Sequence, residues 1–245
     1  SAVVTIEVRD ADGNVQTSHA AYAATVGLTG FAGVVPGSIA IPDGTGSVTV
    51  TVTDTKAEVV TVSLSETSAT GLAEVAGTVT FIGGTATQVV VVSASEPAPG
   101  TVNSVVVTIE VRDADGNVQP SHPAYTAAVG VTGFAGVLPG SISIPDGTGS
   151  VTVTVTDTKA EVVTVSLVET SATSLAEVAG SVVFLAGSAT TVVVISASEP
   201  APGTSNSVVV TIEVRDADGN VQASHPAYAA NAGLTGSATS VPVSI

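Results

Sequence analysis

Asp10, Asp12 and Asn14 place side-chain oxygens at alternate positions of a short loop, the spacing with which calcium-binding loops present their ligands. The trio returns at Asp113, Asp115 and Asn117, and again at Asp216, Asp218 and Asn220. A calcium ion takes about six to eight oxygens, so an acid from a neighbouring segment must join: Glu96 or Asp43 in the first copy, Glu199 in the next. No glutamate stands at the twelfth position counted from Asp10, which excludes an EF-hand loop. The competing reading is a turn chosen for backbone shape, because Asp-Gly and Gly-Asn supply the positive φ of a tight reversal.

Three further sets carry chemistry in principle. Ser18 and His19, with Ser121 and His122 and with Ser224 and His225, pair a nucleophile type with a base type. Adjacent residues on an extended chain point to opposite faces, so they read as a solvent-facing bend rather than a catalytic couple. Lys56 and Lys159 invite an isopeptide bond to a carboxylate or amide, but both sit at an expected hairpin tip, where a solvated charge is the simpler reading. Outward threonines suit ice binding or O-linked sugars, and equally suit any exposed strand face. One histidine per copy and no cysteine leave no zinc or thiolate site.

The elements that carry these residues are strands. Period-two alternation dominates and no stretch shows the 3.6-residue period of a helix. Val4, Ile6 and Val8 share one face and Thr5, Glu7 and Arg9 the other, after which Asp10-Ala11-Asp12-Gly13-Asn14 turns the chain. Further strands are expected over Tyr22–Leu28 and Ser38–Ile41, the latter stopped by Pro42. A hairpin is expected where Val48, Val50 and Val52 run out, Asp54-Thr55-Lys56-Ala57 turns, and Val60, Val62 and Leu64 return. Ser65–Gly77 fits either a loop or one helical turn. Gln88–Val92 is apolar on both faces, as a covered strand is. Glu96-Pro97-Ala98-Pro99-Gly100, repeated at Glu199–Gly203, reads as a stiff hinge or a strand switch.

The segment VVTIEVRDADGNVQ begins at Val3, Val106 and Val209, a period of 103 residues, and the first two copies agree at about 85 of those positions. Each full copy holds nine acidic and two basic residues, within a net charge of -16, so nucleic acid and anionic membrane surfaces are poor partners. No run of eighteen apolar residues is present to cross a bilayer. The first residue is Ser1 rather than Met, which reads as a processed product or an excised piece. Ser207–Ile245 repeats only the opening part of a copy, so at least one sandwich is expected to have open strand edges. Three explanations fit: a window on a longer chain, an arbitrary cut, or completion by a strand of the next molecule.

The strand running into DADGN, then DGTGSVTVTVTDTKAEVVTVS, then GTVTFIGGTATQVVVVSAS, resembles the bacterial Ig-like repeats of invasin- and intimin-type surface adhesins. The resemblance covers both full copies and most of the rest; the proline that often follows the GN turn is replaced by Val15, and no terminal adhesive domain is recognisable. It implies tandem Ig-like Greek-key β-sandwich repeats of 103 residues, phased as 1–80 lacking a first strand, 81–183 complete and 184–245 partial. The phase by sequence copy is 1–103, 104–206 and 207–245. The expectation is therefore an all-β, non-catalytic, extracellular segment of a cell-surface stalk or fibre. Its partners would be adjacent repeats, further copies of itself and a surface receptor engaged outside these residues. The alternative is a subunit that polymerises head to tail by strand complementation. An enzyme lacks a convergent set of acids, bases or ligands, and a carbohydrate-binding module would want exposed aromatics.

Overall fold

A computed structural model describes residues 1–95, 103–197, 208–230 and 233–236. The Glu96–Gly100 and Glu199–Gly203 segments therefore lie outside the described residues, and with them the candidate ligands Glu96 and Glu199. The described chain is all β, without a helix.

Seven strands build a first sandwich: β1 (Ala2–Glu7), β2 (Tyr22–Leu28), β3 (Gly33–Val35), β4 (Ser38–Ile41), β5 (Ser47–Thr53), β6 (Val59–Glu66) and β7 (Gly77–Thr80). They form one sheet in the order β1-β5-β3 and a second in the order β4-β2-β6-β7. Alternation decides which side chains meet between the sheets: Ile6, Val50 and Val52 from one, Ala24, Ile39, Val60 and Val62 from the other. Threonine and valine are both β-branched, which suits either face of a pleated strand. Of the aromatic residues, Tyr22 enters this core while Phe31 stands in solvent.

Ten strands build the second: β8 (Ala86–Val91), β9 (Ala94–Ser95), β10 (Ser104–Asp113), β11 (Tyr125–Val131), β12 (Gly136–Leu138), β13 (Ser141–Ile144), β14 (Ser150–Thr156), β15 (Val162–Glu169), β16 (Ala176–Val178) and β17 (Gly180–Val183). Its sheets run β12-β14-β10-β8-β16 and β13-β11-β15-β17-β9. This is the strand order of an Ig-like sandwich, in which the opening segment serves both sheets. β8 lies antiparallel to β10 in one sheet, and β9 lies parallel to β17 in the other. Ser93 marks the switch, its hydroxyl accepting the Ser181 N–H at 3.0 Å. The core of this sandwich is separate from that of the first. Beyond it, β18 (Thr191–Ile195) pairs with β19 (Thr211–Arg215) as a two-stranded ribbon.

The hairpin expected across Asp54–Ala57 does not form. β5 pairs with β1 and β3, whereas β6 pairs with β2 and β7, so the chain crosses from one sheet to the other as an arch. The physical reason lies in the turn. A two-residue hairpin loop needs positive φ, and no residue from 54 to 58 has it. Instead the Asp54 carboxylate accepts the Lys56 N–H at 2.7 Å, and the arch spans the ~10 Å between packed sheets. Ser65–Gly77 contains no helical turn. Its polar part wraps around Glu66, whose carboxylate accepts from Ser68 Oγ and from the Thr70 N–H and hydroxyl.

Candidate functional site

The second and third acidic turns lie where one unit meets the one before it. In the second sandwich β10 runs straight into the turn, and Gly116 at φ +85° supplies the left-handed residue that reverses the chain. The reversal is closed by a bridge between Arg112 and Val118. Asp113 organises it from inside. Its Oδ1 accepts the N–H groups of Asp115 at 3.0 Å and Asn117 at 2.8 Å. Its Oδ2 accepts Gly84 N–H at 2.7 Å, Asn117 Nδ2 at 3.0 Å and Gln119 Nε2 at 3.1 Å.

Five donors thus converge on a carboxylate that is 2% exposed. Burial pushes its pKa up, but the hydrogen bonds from the Asn117 side chain and from the Gly84, Asn117 and Asp115 amides outweigh that and hold it at about 2. Asp216 repeats the arrangement, with Gly187 N–H at 2.7 Å, and is likewise held below the ordinary value because the hydrogen bonds overcome burial. A Cβ at Gly83 would lie 1.8 Å from Gln119 Nε2 and so would displace that side chain; the matching position one copy later is Ala186, where Gln222 Nε2 donates to the Ala186 carbonyl at 3.1 Å.

Asn117 then reaches out of its own sandwich. Its Oδ1 accepts the Ala57 N–H at 2.9 Å and its Nδ2 donates to the Thr55 carbonyl at 2.9 Å, so one side-chain amide pairs with two backbone groups of the preceding arch. The next junction uses the equivalent atoms. Asn220 Oδ1 accepts Ala160 N–H at 2.8 Å and Asn220 Nδ2 donates to Thr158 O at 2.9 Å. Asn103 Nδ2 adds a bond to Asp218 Oδ2 at 3.1 Å. In the first turn Asn14 bonds to Asp10, as does Gln16. An amide is suited to this task because it offers a donor and an acceptor side by side, matching a peptide edge.

For a cation the geometry is less favourable. Both oxygens of Asp113 face N–H donors, Asn117 Oδ1 is engaged by Ala57, and Asp43 accepts from the His19 N–H at 3.3 Å rather than turning to Asp10. Asp12 and Asp115 are exposed at the turn tips. Among the described residues no three His, Asp or Glu side chains gather at metal-binding distance. Calcium at these turns would have to displace amide donors already in place.

The other candidates resolve into structural roles. His19 Nδ1 lies 2.7 Å from Ala20 O and Nε2 lies 2.7 Å from Thr45 O, so the ring ties two backbone segments and does not meet Ser18. Those two carbonyls, with the Asp43 charge, raise its pKa against the smaller effect of burial. His122 makes the same bridge and is buried, which corrects the solvent-facing bend expected there. Lys159 Nζ pairs with Glu161 at 3.2 Å and lies 4.3 Å from the centre of the exposed Phe134 ring.

No family model matches the chain, and no curated protein does. Solved structures of related shape include the D0-D1 domain of Intimin, 19% identical over 75% of this chain and 89% of that one, with a TM-score of 0.29. Yersinia pseudotuberculosis InvD is 19% identical over 90% of this chain and 66% of that one, TM-score 0.34. The Escherichia coli adhesin FdeC is 21% identical over 96% of this chain and 76% of that one, TM-score 0.34.

Proposed function

We propose that the chain is a non-catalytic spacer segment of an extracellular adhesin stalk or fibre, built of Ig-like units 1–80, 81–183 and 184–245. The observation that carries this reading is the recurrence of the asparagine clamp. Asn117 on Thr55 and Ala57, and Asn220 on Thr158 and Ala160, make the same pair of bonds at both junctions. Docked junctions hold consecutive units in a set relation, which a spacer requires and a string on free linkers lacks. The acidic surface, with a net charge of -16, keeps such a segment soluble and disfavours sticking to anionic surfaces. The test is display of the chain between a surface anchor and a reporter epitope. Inserting or deleting one 103-residue copy should change the height of the epitope by a constant increment, and an unchanged height would sink the reading.

A further inference from the structure

Among the described residues two strand pairs are parallel, β8 with β16 and β9 with β17, and every other pair is antiparallel. Both join the segment that opens the second sandwich to the segment that closes it. Residues 176–178 lie beside 88–90, and 182–183 beside 94–95. The offset is 88 residues throughout, and it is kept at the sheet switch, where the Ser181 N–H donates to Ser93 Oγ. Residues 88–95 and 176–183 therefore run side by side in one register and change sheets together. Gly180 lets them come close, since a Cβ there would lie 2.4 Å from the Val91 carbonyl oxygen.

The two ends of this pair are fastened at opposite junctions. Ahead of the opening segment, the Gly84 N–H donates to Asp113 at 2.7 Å, in the turn whose Asn117 grips the preceding arch. Behind the closing segment, the Phe184 N–H donates to the Glu161 carbonyl at 3.0 Å, at the end of the arch that Asn220 grips. A pull along the chain thus draws 88–95 towards the preceding unit and 176–183 towards the following one. Because the segments are parallel, that pull slides one along the other and loads their bonds together. Were they antiparallel, entry and exit would lie at the same end, and the bonds would open one at a time. Strands β10 to β15 lie between the two segments in sequence, so tension has a direct path across the pair without passing along them.

We propose that this parallel pair is the force-bearing element of the unit, a clamp by which the repeat resists extension when the chain is pulled from both ends. Resistance to a pull is set by the barrier to opening rather than by the free energy of unfolding, so it depends on the direction in which the bonds are loaded. The inference rests on the spacer reading for the presence of tension. Its own test needs no display on a surface, so the two readings fail separately.

The test pulls single 245-residue chains in optical tweezers. Ser93→Cys with Ser181→Cys supplies the probe, because the two hydroxyl oxygens stand 3.4 Å apart and the chain has no cysteine of its own. Pulled by its ends with the thiols reduced, the variant should open the second sandwich in one step that includes about 300 Å for the 88 residues between the two positions, at ~3.5 Å each. Oxidation to the disulfide should remove that length, and reductant should restore it. Pulled instead through handles on the two thiols, across the pair rather than along it, the same unit should open at a force several-fold lower. A step that keeps its length when the disulfide is verified by mass overturns the path of tension. An equal or greater force across the pair overturns the clamp. The unsubstituted chain, pulled by its ends, gives an independent reading: it should release this length in a single event, and gradual or piecemeal lengthening of the second sandwich overturns the proposal.

Discussion

Replacing Asn117 by alanine should undock the first two sandwiches without unfolding either. The side chain contributes two bonds across the junction, to Ala57 N–H at 2.9 Å and Thr55 O at 2.9 Å. The partners lie on an exposed arch, so water replaces the lost amide and no buried group is orphaned. At about 1 kcal/mol net per bond the docked state loses about 2 kcal/mol, close to a thirtyfold fall in the ratio of docked to undocked molecules. Residual dipolar couplings measure this directly. In the parent chain the two sandwiches should share one alignment tensor, and in Asn117→Ala the tensors should separate. Asn117 also donates to Asp113 at 3.0 Å, so the second sandwich should melt slightly earlier while the first is unchanged. Identical tensors in the variant would refute the clamp as the element that fixes the junction.

Asp113→Asn should destabilise the second sandwich by roughly 3 kcal/mol in chemical denaturation, because an amide NH2 cannot accept the N–H groups that converge on the carboxylate. The pKa of Asp113, held at about 2, makes its contribution present above the unfolded value of about 3.9 and lost as pH falls towards 2, so acid titration of stability should flatten in the same variant. His19 has the opposite sign. Its raised pKa gives stability that is complete below the unfolded value of about 6.5 and is lost as pH rises through the folded value, and NMR should show both ring nitrogens protonated below the unfolded value. Gly180→Ala would place a Cβ 2.4 Å from the Val91 carbonyl oxygen, forcing β17 away from the opening strand, and should cost roughly 2–3 kcal/mol in thermal melts. A chelator should leave the melting midpoint unchanged, since the Asp113 oxygens already face five N–H donors.

Local pattern was enough to read the strands and the glycine turns. Alternating valine and threonine mark β5 and β14, and Gly13 and Gly116 take the left-handed φ that their turn requires. Pairing was another matter, because the same alternation serves a hairpin within one sheet and an arch between two. Partners remote in sequence were also invisible. Asn117 meets residues 60 and 62 positions earlier, and nothing within the turn announces that reach. Leu72-Ala73-Glu74-Val75 and Leu175-Ala176-Glu177-Val178 are identical in sequence. The later copy contains strand β16 because β8 lies alongside it, while residues 73–75, with no such neighbour, form none. Here strand formation is set by tertiary context rather than by propensity.

Both halves of the junction are written in the invariant part of the copy. Asp54–Glu58 is the same as Asp157–Glu161, and the turn Asp10–Asn14 is the same in all three appearances. Unequal recombination between copies would therefore add or remove whole units while regenerating a working junction at every seam. For the spacer proposed above, length would become a heritable variable that can drift or be selected without any compensating substitution, so reach could evolve faster than the fold that provides it.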